Sequence, residues 1–325
     1  MTTLQEVAAR AGCSLATASR ALTLKGSVSD AMLRKVRRAA AELGYRPAVA
    51  GIKTGRRLVI GVLIPSITNP VFSSSLSGIE NCMLMAGHGV LLAQSHYDPA
   101  RELDAVAALL NERPTGLILT LCSAEKSGIR DLPLPPTVLL NNRPTAHFPS
   151  AVTVNNFKAG HELTMLLRQL GHERILFVSG NFAASDRAKL RYDGYSRAMT
   201  ETGAAPLPAM QISFVGDYDM LDLSTTMAAI RPTAIIASND LLAFGVIGAL
   251  RREGLSVPGD ISVAGFDGIS LGRMMDPPLT TIEMPDASMG AAAASLLLDI
   301  AENAAPARHL EVAHSLRRGG TVRAV

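Results

Sequence analysis

The sequence lacks tryptophan, and phenylalanine and tyrosine together make up only 4% of its 325 residues. It has no apolar run of the roughly 18 residues that a membrane-spanning helix needs, and its first residues do not form the apolar core of a secretory signal. We therefore expect a cytoplasmic protein without a membrane partner. The hydrophobic fraction of 48% is typical of folded globular proteins, and the length suits two or three domains.

Cysteine is scarce, and the usual spacings of metal ligands are missing. Cys13, Cys82 and Cys122 are far apart and odd in number, so they form neither a Cys-x-x-Cys pair nor a metal site. They are typical of buried free thiols in a reducing compartment.

The short motifs of common catalytic sites are also absent from the sequence. It contains no G-x-S-x-G elbow, G-x-x-x-x-G-K-[ST] loop, G-x-G-x-x-G fingerprint or H-E-x-x-H pair. Its seven histidines are scattered, and no partner residue stands at a spacing that indicates catalysis. We therefore predict a protein that is not an enzyme and that has no catalytic residue, cofactor or metal ion.

Charge, by contrast, is present and unevenly distributed. Residues 1–57 contain 11 Lys and Arg but three Asp and Glu, a net charge of +8. The rest of the chain contains 20 basic and 25 acidic residues, a net charge of −5. Solvated surfaces rarely separate charge in this way, whereas phosphate-binding surfaces do. The pattern predicts a head that binds nucleic acid, followed by a more acidic body.

The stretch TLQEVAARAGCSLATASRAL in this basic head predicts two short helices. Thr3 and Glu6 have the spacing of a capping box, and Gly12 can adopt the left-handed conformation that ends a helix. Ser14 can cap a second helix that runs to about Leu22. Two helices joined by a short glycine-containing turn are typical of a helix-turn-helix, whose second helix enters the DNA major groove. An ordinary helical hairpin remains the alternative for this stretch by itself.

The rest of the basic head predicts one more helix and a linker. Ser29 can cap a third helix, which Gly44 would end and whose buried stripe includes Val36 and Leu43. Residues 45–57 then form a basic linker that is too short to be a stable isolated helix in water.

From residue 58 onward, apolar runs of strand length alternate with amphipathic runs of helix length. Continuous apolar strands separated by helices predict parallel βαβ units in which both faces of the sheet are covered. The pattern occurs twice, so we predict two doubly wound α/β lobes with a cleft between them. Strands are predicted at 58–64, 90–93, 117–121, 138–140, 152–154, 175–178, 234–237 and 261–266. Helices are predicted at 71–86, 99–111, 157–170, 189–202, 219–229 and 241–253.

Polar residues follow several of these strands directly. They occupy the loops 65–72, 141–143 and 238–240, and the position of Asp267. Open α/β sheets bind ligands at this edge, where Asn and Asp can bind hydroxyl groups and Arg can bind a carboxylate. Asp240 alone would also fit a helix cap. Taken together, however, the loops predict a polar small-molecule site in the cleft.

Short segments along the whole chain carry a family resemblance. In the head they are TLQEVAARAGCSLATASRAL, VS at 28–29 and ELGYRP at 42–47. In the body they are IGVLIPSITNPVF at 60–72, GLILT at 116–120, LGHERILFVSG at 170–180, ASND at 237–240, ISVAGFD at 261–267 and PPLTTI at 277–282. With these segments the chain resembles the lactose-repressor (LacI/GalR) family of bacterial transcription regulators. IPSITNPVFSSSLSGIE and AGFDGISLGRMMDPPLTTI are most similar to the branch that regulates gluconate and related sugar acids.

The resemblance implies three domains and a two-lobed core similar to periplasmic binding proteins. The domains would be a helix-turn-helix headpiece at 1–46, a hinge at 47–57 and an effector-binding core at 58–325. The lobes would be about 58–150 plus 283–308, and about 151–282 plus 309–325.

The resemblance also implies two sets of site residues. Leu15, Ala16 and Arg20 would face base edges, where Arg20 can donate two hydrogen bonds to guanine. Arg191 lies in R-Y-D-G-Y, which is similar to the family's R-x-x-G-[YW], and would anchor the effector. The expected DNA-binding residues are Thr3, Ser14, Leu15, Ala16, Thr17, Ser19, Arg20 and Ile52. The expected effector-binding residues are Ser66, Asn69, Phe72, Asn141, Arg191, Asn239 and Asp267.

Three features set this sequence apart from many members of the family. The hinge lacks the usual Pro-Asn, and Ile52 stands five residues beyond Pro47 where a leucine wedge usually stands seven beyond, which argues against the usual minor-groove wedge. Asn141 occupies a position where many relatives have Asp, which indicates a less hydroxyl-demanding or more anionic ligand. The chain has no additional C-terminal leucine heptad, so the resemblance implies a homodimer.

These observations predict an effector-controlled, DNA-binding regulator, and specifically a repressor, of sugar or sugar-acid catabolism. Its partners would be a near-palindromic operator, a small sugar or sugar acid and a second copy of the chain. A sugar-binding transport or chemoreceptor protein would fit the body alone, but the cationic head and the missing secretory signal argue against it. A sugar-processing enzyme with an appended helical domain is a second alternative, which the missing catalytic motifs disfavour.

Overall fold

The computed structural model describes residues 3–23, 28–43, 45, 58–214 and 218–325. The chain divides into two compact units, Met1–Arg56 and Arg57–Val325. The hinge expected at 47–57 lies entirely outside the described residues. None of the described helices is long and apolar enough to cross a membrane.

The described part of the first unit consists of three helices, α1 (Leu4–Ala11), α2 (Leu15–Thr23) and α3 (Asp30–Glu42). Their cluster of small apolar side chains buries Val7, Ala18 and Val36 among others. Small residues let three short helices approach closely, so a unit of this size can form a core of its own.

The helix caps of this unit match the predictions. Thr3 Oγ1 accepts the Glu6 N–H while the Glu6 carboxylate accepts the Thr3 N–H, which confirms the capping box. Gly12 ends α1 with a φ of 66°, a left-handed conformation that costs glycine nothing. Ser14 and Ser29 accept backbone N–H groups of the helices that follow them. The predicted end of α3 at Gly44 lies outside the described residues.

The second unit alternates strands and helices, as the apolar pattern predicted. Its strands are β1 (Val59–Ile64), β2 (Gly89–Gln94), β3 (Leu117–Leu119), β4 (Thr137–Leu140), β5 (Ala151–Val154), β6 (Ile175–Gly180), β7 (Met210–Ile212), β8 (Ala234–Ala237), β9 (Ser262–Asp267), β10 (Thr280–Glu283), β11 (His309–Val312) and β12 (Ser315–Arg317). Its helices are α4 (Pro70–Met85), α5 (Pro99–Asn111), α6 (Asn156–Gln169), α7 (Asp186–Glu201), α8 (Ser224–Ile230), α9 (Asp240–Arg252), α10 (Leu271–Met274) and α11 (Asp286–Asn303).

These strands form two six-stranded sheets, one in each lobe. The first has the order β11-β5-β4-β3-β1-β2 and is parallel throughout. The second has the order β12-β10-β9-β8-β6-β7 and is parallel except for the edge strand β12. The central strands are buried, so each sheet is covered on both faces, as predicted.

Two segments belong to a different lobe from the one we expected. We assigned 151–154 and 309–312 to the second lobe, but they are β5 and β11 and pair with each other in the first sheet. The connection between β4 and β5 is the loop 141–150, which contains no helix. A crossover without a helix gives no periodic signal that the chain returns to the same sheet.

Some predicted element boundaries also need correction. The helix predicted at 219–229 is a short 3₁₀ turn at Tyr218–Met220 followed by α8, which starts after Asp222 accepts the Ser224 N–H. Helix α7 begins three residues earlier than predicted because Ser185 caps it. Of the three cysteines, all free thiols, Cys122 is buried and the other two are half-buried.

Each lobe contains one pair of helices that cross at glycines. Helices α4 and α11 meet at Gly78 and Gly290, where an added Cβ would lie 2.0 Å from a carbonyl oxygen of the other helix. Helices α6 and α7 meet at Gly160 and Gly194, where the distance would be 2.1 Å. No other residue fits such a contact, so these positions fix how closely the helices pack.

Candidate functional site

The second helix of the headpiece presents the side chains expected to read DNA bases. Leu15 is 46% exposed, an unusual position for a large apolar side chain, and Ala16 and Arg20 are exposed as well. Arg20 Nε donates a 3.2 Å hydrogen bond to the Ala16 carbonyl of its own helix. The opposite side of α2 is buried through Ala18 and Ala21. The exposed face is therefore available for a groove of DNA.

The other expected DNA-binding residues of the headpiece lie at the caps of α1 and α2 or on α2. Thr3 and Ser14 are exposed caps, while Thr17 and Ser19 are partly buried on α2. Ser14 Oγ accepts the Thr17 N–H at 3.2 Å, and the two hydroxyl groups are 2.9 Å apart. Helix N-termini with small polar residues are favourable sites for phosphate groups. Ile52 lies outside the described residues.

Some of the positive charge of the headpiece is used internally. Arg10 and Arg38 both bind the carboxylate of Glu42 at 3.0 Å, which links α1 to α3. Hydrogen bonds from Arg38 and Arg10 lower the pKa of Glu42 below its ordinary value. Arg34 and Arg37 are exposed on α3 and form no ion pair among the described residues. They remain available for phosphates.

Within the second unit, a cavity lies where the two lobes meet, and its volume is about 40 Å³. Its lining includes six of the seven expected effector residues: Asn69, Phe72, Asn141, Arg191, Asn239 and Asp267. The seventh expected residue, Ser66, does not line it. Its hydroxyl group lies 2.8 Å from that of Thr68, because loop 65–69 uses Ser66 to stabilise its own turn.

The fold explains why these side chains converge. Asn69 caps α4 and Asn239 caps α9, each by accepting a backbone N–H two or three residues further on. Asp267 is the last residue of β9, so it projects from the carboxyl edge of the second sheet. Asn239, and not Asp240, is therefore the cap of α9. Helix starts and strand ends meet at this edge, as expected for an open α/β sheet.

Arg191 is the centre of the polar network in the cavity. Its Nε donates to Asn156 Oδ1 at 2.8 Å, and its Nη1 donates to the Ser238 carbonyl at 2.6 Å and to Asp267 Oδ1 at 3.0 Å. The guanidinium carbon also lies 4.8 Å from the ring centroid of Phe266. Both partners of the ion pair with Asp267 are buried. The guanidinium is therefore fixed in position before any ligand arrives.

Two residues of the cavity show features that indicate a missing binding partner. Asn141 has a φ of 70° and Asp267 a φ of 105°, both in the left-handed region that non-glycine residues rarely occupy. The Asn141 Nδ2 atom is buried and has no hydrogen-bond partner among the residues that the structure describes. Backbone strain of this kind is concentrated at ligand sites, and an unpaired buried amide costs free energy until an acceptor arrives.

Aromatic rings enclose one side of the same cavity. Tyr97 follows β2 of the first lobe and stacks on Phe214, which follows β7 of the second, with ring centroids 4.6 Å apart. Phe72 contacts Tyr97 edge-on at 6.3 Å. Apolar ring faces can pack against the C–H groups of a sugar, while the polar residues bind its hydroxyl groups.

Burial raises the pKa of several carboxyl groups around the cavity. The pKa of Asp286 is well above its ordinary value because of burial and, second, the charge of Asp267. Burial raises the pKa of Asp240 to about 8, although it accepts hydrogen bonds from Thr281 and from the Ile269 N–H. Burial therefore disfavours the charged form of Asp286, which lines the cavity, and of Asp240, which lies outside the lining.

Several residues that line the cavity were not predicted from the sequence. Tyr97 and Asn156 follow strands of the first sheet, so the rule that located Asn141 applies to them too. Arg187 and Asp286 lie in the first turns of α7 and α11, and neither follows a predicted strand directly. Phe214 follows β7, a three-residue strand that the apolar pattern did not predict.

A second polar network joins the lobes beside the cavity. The Asn142 amide accepts the Leu121 N–H at 2.7 Å and donates to Asp186 Oδ2 at 2.8 Å. Arg187 Nη1 donates to the Leu121 carbonyl at 2.8 Å. Asn142 and Leu121 belong to the first lobe, and Asp186 and Arg187 begin α7 of the second. These contacts hold the lobes in a closed arrangement.

Comparisons with known proteins agree with this architecture. Residues 3–48 match the family model described as bacterial regulatory proteins, lacI family, and residues 164–322 match a periplasmic binding protein-like domain. The chain is 32% identical over 308 residues to the ribose operon repressor of Escherichia coli strain K12, which covers 92% of each chain. It is 31% identical over 306 residues to catabolite control protein A of Priestia megaterium, which covers 91% of each.

A solved structure shows the same fold over nearly the entire length. The Lac repressor dimer bound to operator and the anti-inducer ONPF superposes with a TM-score of 0.73 at 26% identity, and the alignment covers 99% of both chains. The headpiece, the two-lobed core and the similarity to repressors along most of the chain lead to one conclusion. The chain belongs to the LacI family of bacterial regulatory proteins, and it is a DNA-binding transcriptional repressor rather than an enzyme.

Proposed function

We propose that this repressor is a homodimer and that a small sugar in the interlobe cavity controls its affinity for DNA. The observation that carries the proposal is the preformed polar network of the cavity, with Arg191 fixed on Asp267 and the Asn141 amide still without an acceptor. A sugar hydroxyl oxygen would supply that acceptor, and the ring faces of Phe72 and Phe214 would cover the apolar side of the sugar.

The charges of the cavity favour a neutral sugar over a sugar acid. Arg191 is paired with Asp267 and Arg187 with Asp186, so neither guanidinium is left unpaired for a carboxylate. By resemblance, Asn141 indicated a more anionic ligand. Its neutral amide, however, adds one hydrogen-bond donor to the cavity and no charge. One similar chain is named a ribose operon repressor, which makes a pentose the first ligand to test.

In this proposal the effector acts by a shift of populations. Sugar would stabilise the closed lobes, and the change in lobe arrangement would alter the spacing of the two headpieces of the dimer. Reversing occupancy from 99:1 to 1:99 takes about a 10⁴-fold difference in affinity between the two states. Several buried polar contacts made only in one state could supply such a difference.

The dimer is supported by exposed apolar side chains of the core. Met85 is 89% exposed and Leu84 is 65% exposed at the end of α4, and Met274 of α10 is 77% exposed. Large apolar side chains in such positions are typical of subunit interfaces. Two headpieces would read half-sites of a near-palindrome about one helical turn apart, and the protein would act in the cytoplasm with its operator.

For the headpiece we propose that Leu15, Ala16 and Arg20 contact bases and that Ser14 and Thr17 contact phosphates. The exposure of the first three residues on one face of α2 supports this assignment. The boundaries 1–46, 47–57 and 58–325, and a role of Ile52 in the hinge, are part of the same proposal.

The effector is tested by a thermal-shift screen with ribose, other neutral pentoses and hexoses, and gluconate. A ligand that binds only the folded state raises the melting temperature, by an amount that grows with its concentration. We expect a neutral monosaccharide to give the largest shift. A larger shift with gluconate would identify a sugar-acid effector instead, and no shift with any member would contradict sugar control.

The DNA function is tested by fluorescence anisotropy with operator DNA selected from random sequence. Affinity should fall by roughly 0.9 log unit per phosphate contact for each tenfold rise in salt. The effective sugar should change the affinity for this operator, and a matched sugar that gives no thermal shift should not. An affinity that is independent of salt would contradict the proposed phosphate contacts.

A further inference from the structure

A second and larger cavity lies next to the effector cavity, with a volume of about 570 Å³. Its wall combines Pro144 of the first lobe with Phe182 and Leu190 of the second. Asp186 lines this cavity while the next residue, Arg187, lines the effector cavity, so the two spaces share a wall. The volume is in the range of small-molecule sites, which are commonly about 300–1,000 Å³.

The floor of this second cavity is acidic but already hydrogen-bonded. Glu102 is 1% exposed, and its two carboxylate oxygens accept the Cys122 N–H and the Ser127 hydroxyl group. Asp186 accepts from the Asn142 amide. A negatively charged group of a ligand would be repelled from this floor, while an apolar group could lie above it against Phe182.

The mouth of the second cavity carries positively charged side chains. Lys126 and Arg143 are exposed lining residues, and neither side chain forms an ion pair or a hydrogen bond among the described residues. Lys189, also at the mouth, is paired with Asp193 at 2.5 Å. Glu125 is an exposed acid of the lining, so the mouth as a whole retains excess positive charge.

From this arrangement we propose that the second cavity binds a small amphipathic anion. A flat apolar ring would lie against Phe182 and Leu190, and a carboxylate at the other end would contact Lys126 and Arg143. Because the ligand would touch both lobes, it would stabilise the closed arrangement that the sugar also stabilises. That regulatory consequence rests on the proposed function, whereas the binding itself does not.

The binding is tested with the full-length protein and three probes, without sugar or DNA. Benzoate combines a ring with a carboxylate, benzamide has the ring without the charge, and acetate has the charge without the ring. Calorimetry should give a dissociation constant for benzoate at least about fivefold lower than for either of the other two, because charge-assisted contacts and ring burial both contribute. Since no sugar is present, a failed sugar screen leaves this result intact.

Variants then locate the probe. Arg143→Ala and Phe182→Ala should each weaken benzoate binding about fivefold, whereas Arg318→Ala, an exposed loop arginine outside the lining, should change it less than about twofold. Melting temperatures without probe establish that the variants fold. Benzoate binding that is undetectable, or unchanged in both cavity variants, would overturn the site. Equal binding of benzamide would overturn the preference for an anion.

Discussion

On α2 of the headpiece, Leu15 and Arg20 are exposed, and the described hydrogen bond of the Arg20 side chain goes to its own helix. In the core, Arg191 is buried and donates to Asn156, to Asp267 and to a backbone carbonyl. The proposed DNA-reading face of α2 thus leaves its side chains to be bound by the ligand, while the interlobe cavity fixes its own side chains in advance. DNA offers many phosphates and base edges to a mobile side chain, whereas a small sugar gains affinity only from a preorganised site.

Among the variants that test this contrast between headpiece and core, Arg191→Ala should have the largest effect. The change leaves Asp267 buried without its ion-pair partner, and breaking a buried pair in this way typically costs about 3–5 kcal/mol. Urea unfolding should therefore show a less stable core, and sugar binding should be lost.

Arg191→Lys provides the control for that experiment, because it keeps the charge near Asp267 but cannot make the same set of hydrogen bonds. It should recover part of the stability without restoring normal sugar affinity. A loss of stability below about 1 kcal/mol in Arg191→Ala would mean that the cavity is less preorganised than we argue.

Arg20→Ala should give the next largest effect, and on DNA binding only. Removing a bidentate contact to guanine should cost about 1–3 kcal/mol of discrimination at one base pair while the melting temperature stays constant. Arg37→Ala, an exposed cation on α3, is the matched control and should weaken binding to all sequences alike and reduce the salt slope. An equal loss on specific and random DNA in Arg20→Ala would show that Arg20 contacts phosphate instead.

The dependence of stability on pH should have opposite signs in the two regions. The pKa of Asp286 is raised by burial, so its stabilising contribution is present below about pH 4 and is lost as the pH rises through its folded value. Asp286→Asn should flatten the fall in the free energy of unfolding of the core as the pH rises above about 4. Comparing variant with wild type removes the contribution of His172, whose pKa is lowered by burial and which acts in the opposite sense.

The headpiece should instead lose stability on acidification. Hydrogen bonds from Arg38 and Arg10 lower the pKa of Glu42, so that contribution is present above the unfolded value near pH 4.5 and is lost as the pH falls through the folded one. Glu42→Gln should therefore reduce the acid sensitivity of α1–α3, followed by circular dichroism. A core whose stability rises equally with pH above about 4 in wild type and in Asp286→Asn would contradict this difference between the regions.

The smallest effect is expected at the start of the headpiece. Thr3→Ala removes one half of the capping box, which typically costs about 0.5–2 kcal/mol at a helix N-terminus. Amide hydrogen exchange should speed up in α1, while the amides of β1 and β6 stay as they were. Thr3→Ser, which keeps the hydroxyl group, should exchange as the wild type does, and faster exchange throughout the core would show that the units are not independent.

The same contrast explains which parts of the structure could be predicted from the sequence. Caps at Thr3, Ser14 and Ser29 depend on residues three positions apart, so the three headpiece helices were predictable from local pattern alone. The alternation of strands and helices was equally visible, and with it the two-lobed fold. The membership of β5 and β11 in the first sheet was not, because pairing between segments about 150 residues apart leaves no periodic trace.

The interlobe cavity was predictable in part, for a related reason. Asn141, Asn239 and Asp267 directly follow apolar strands, and that rule places them at one edge of a sheet. Ser66 follows the same rule but bonds within its own loop, which only the three-dimensional path of that loop decides. Asp286 reaches the cavity from the first turn of α11, and the strand before it, β10, was not among the predicted strands.

The glycine crossings of the core have a mechanical consequence for how a metabolite could be sensed. Helices α4 and α11 begin beside the cavity at Asn69 and Asp286, and they are clamped together where backbone touches backbone. In the other lobe, α6 and α7 are clamped in the same way and carry Asn156 and Arg191. The helices of neither pair can slide past each other without a clash, so each half of the binding surface should move as one rigid body. We therefore expect ligand binding to change the angle between the two lobes, with almost no rearrangement inside either lobe.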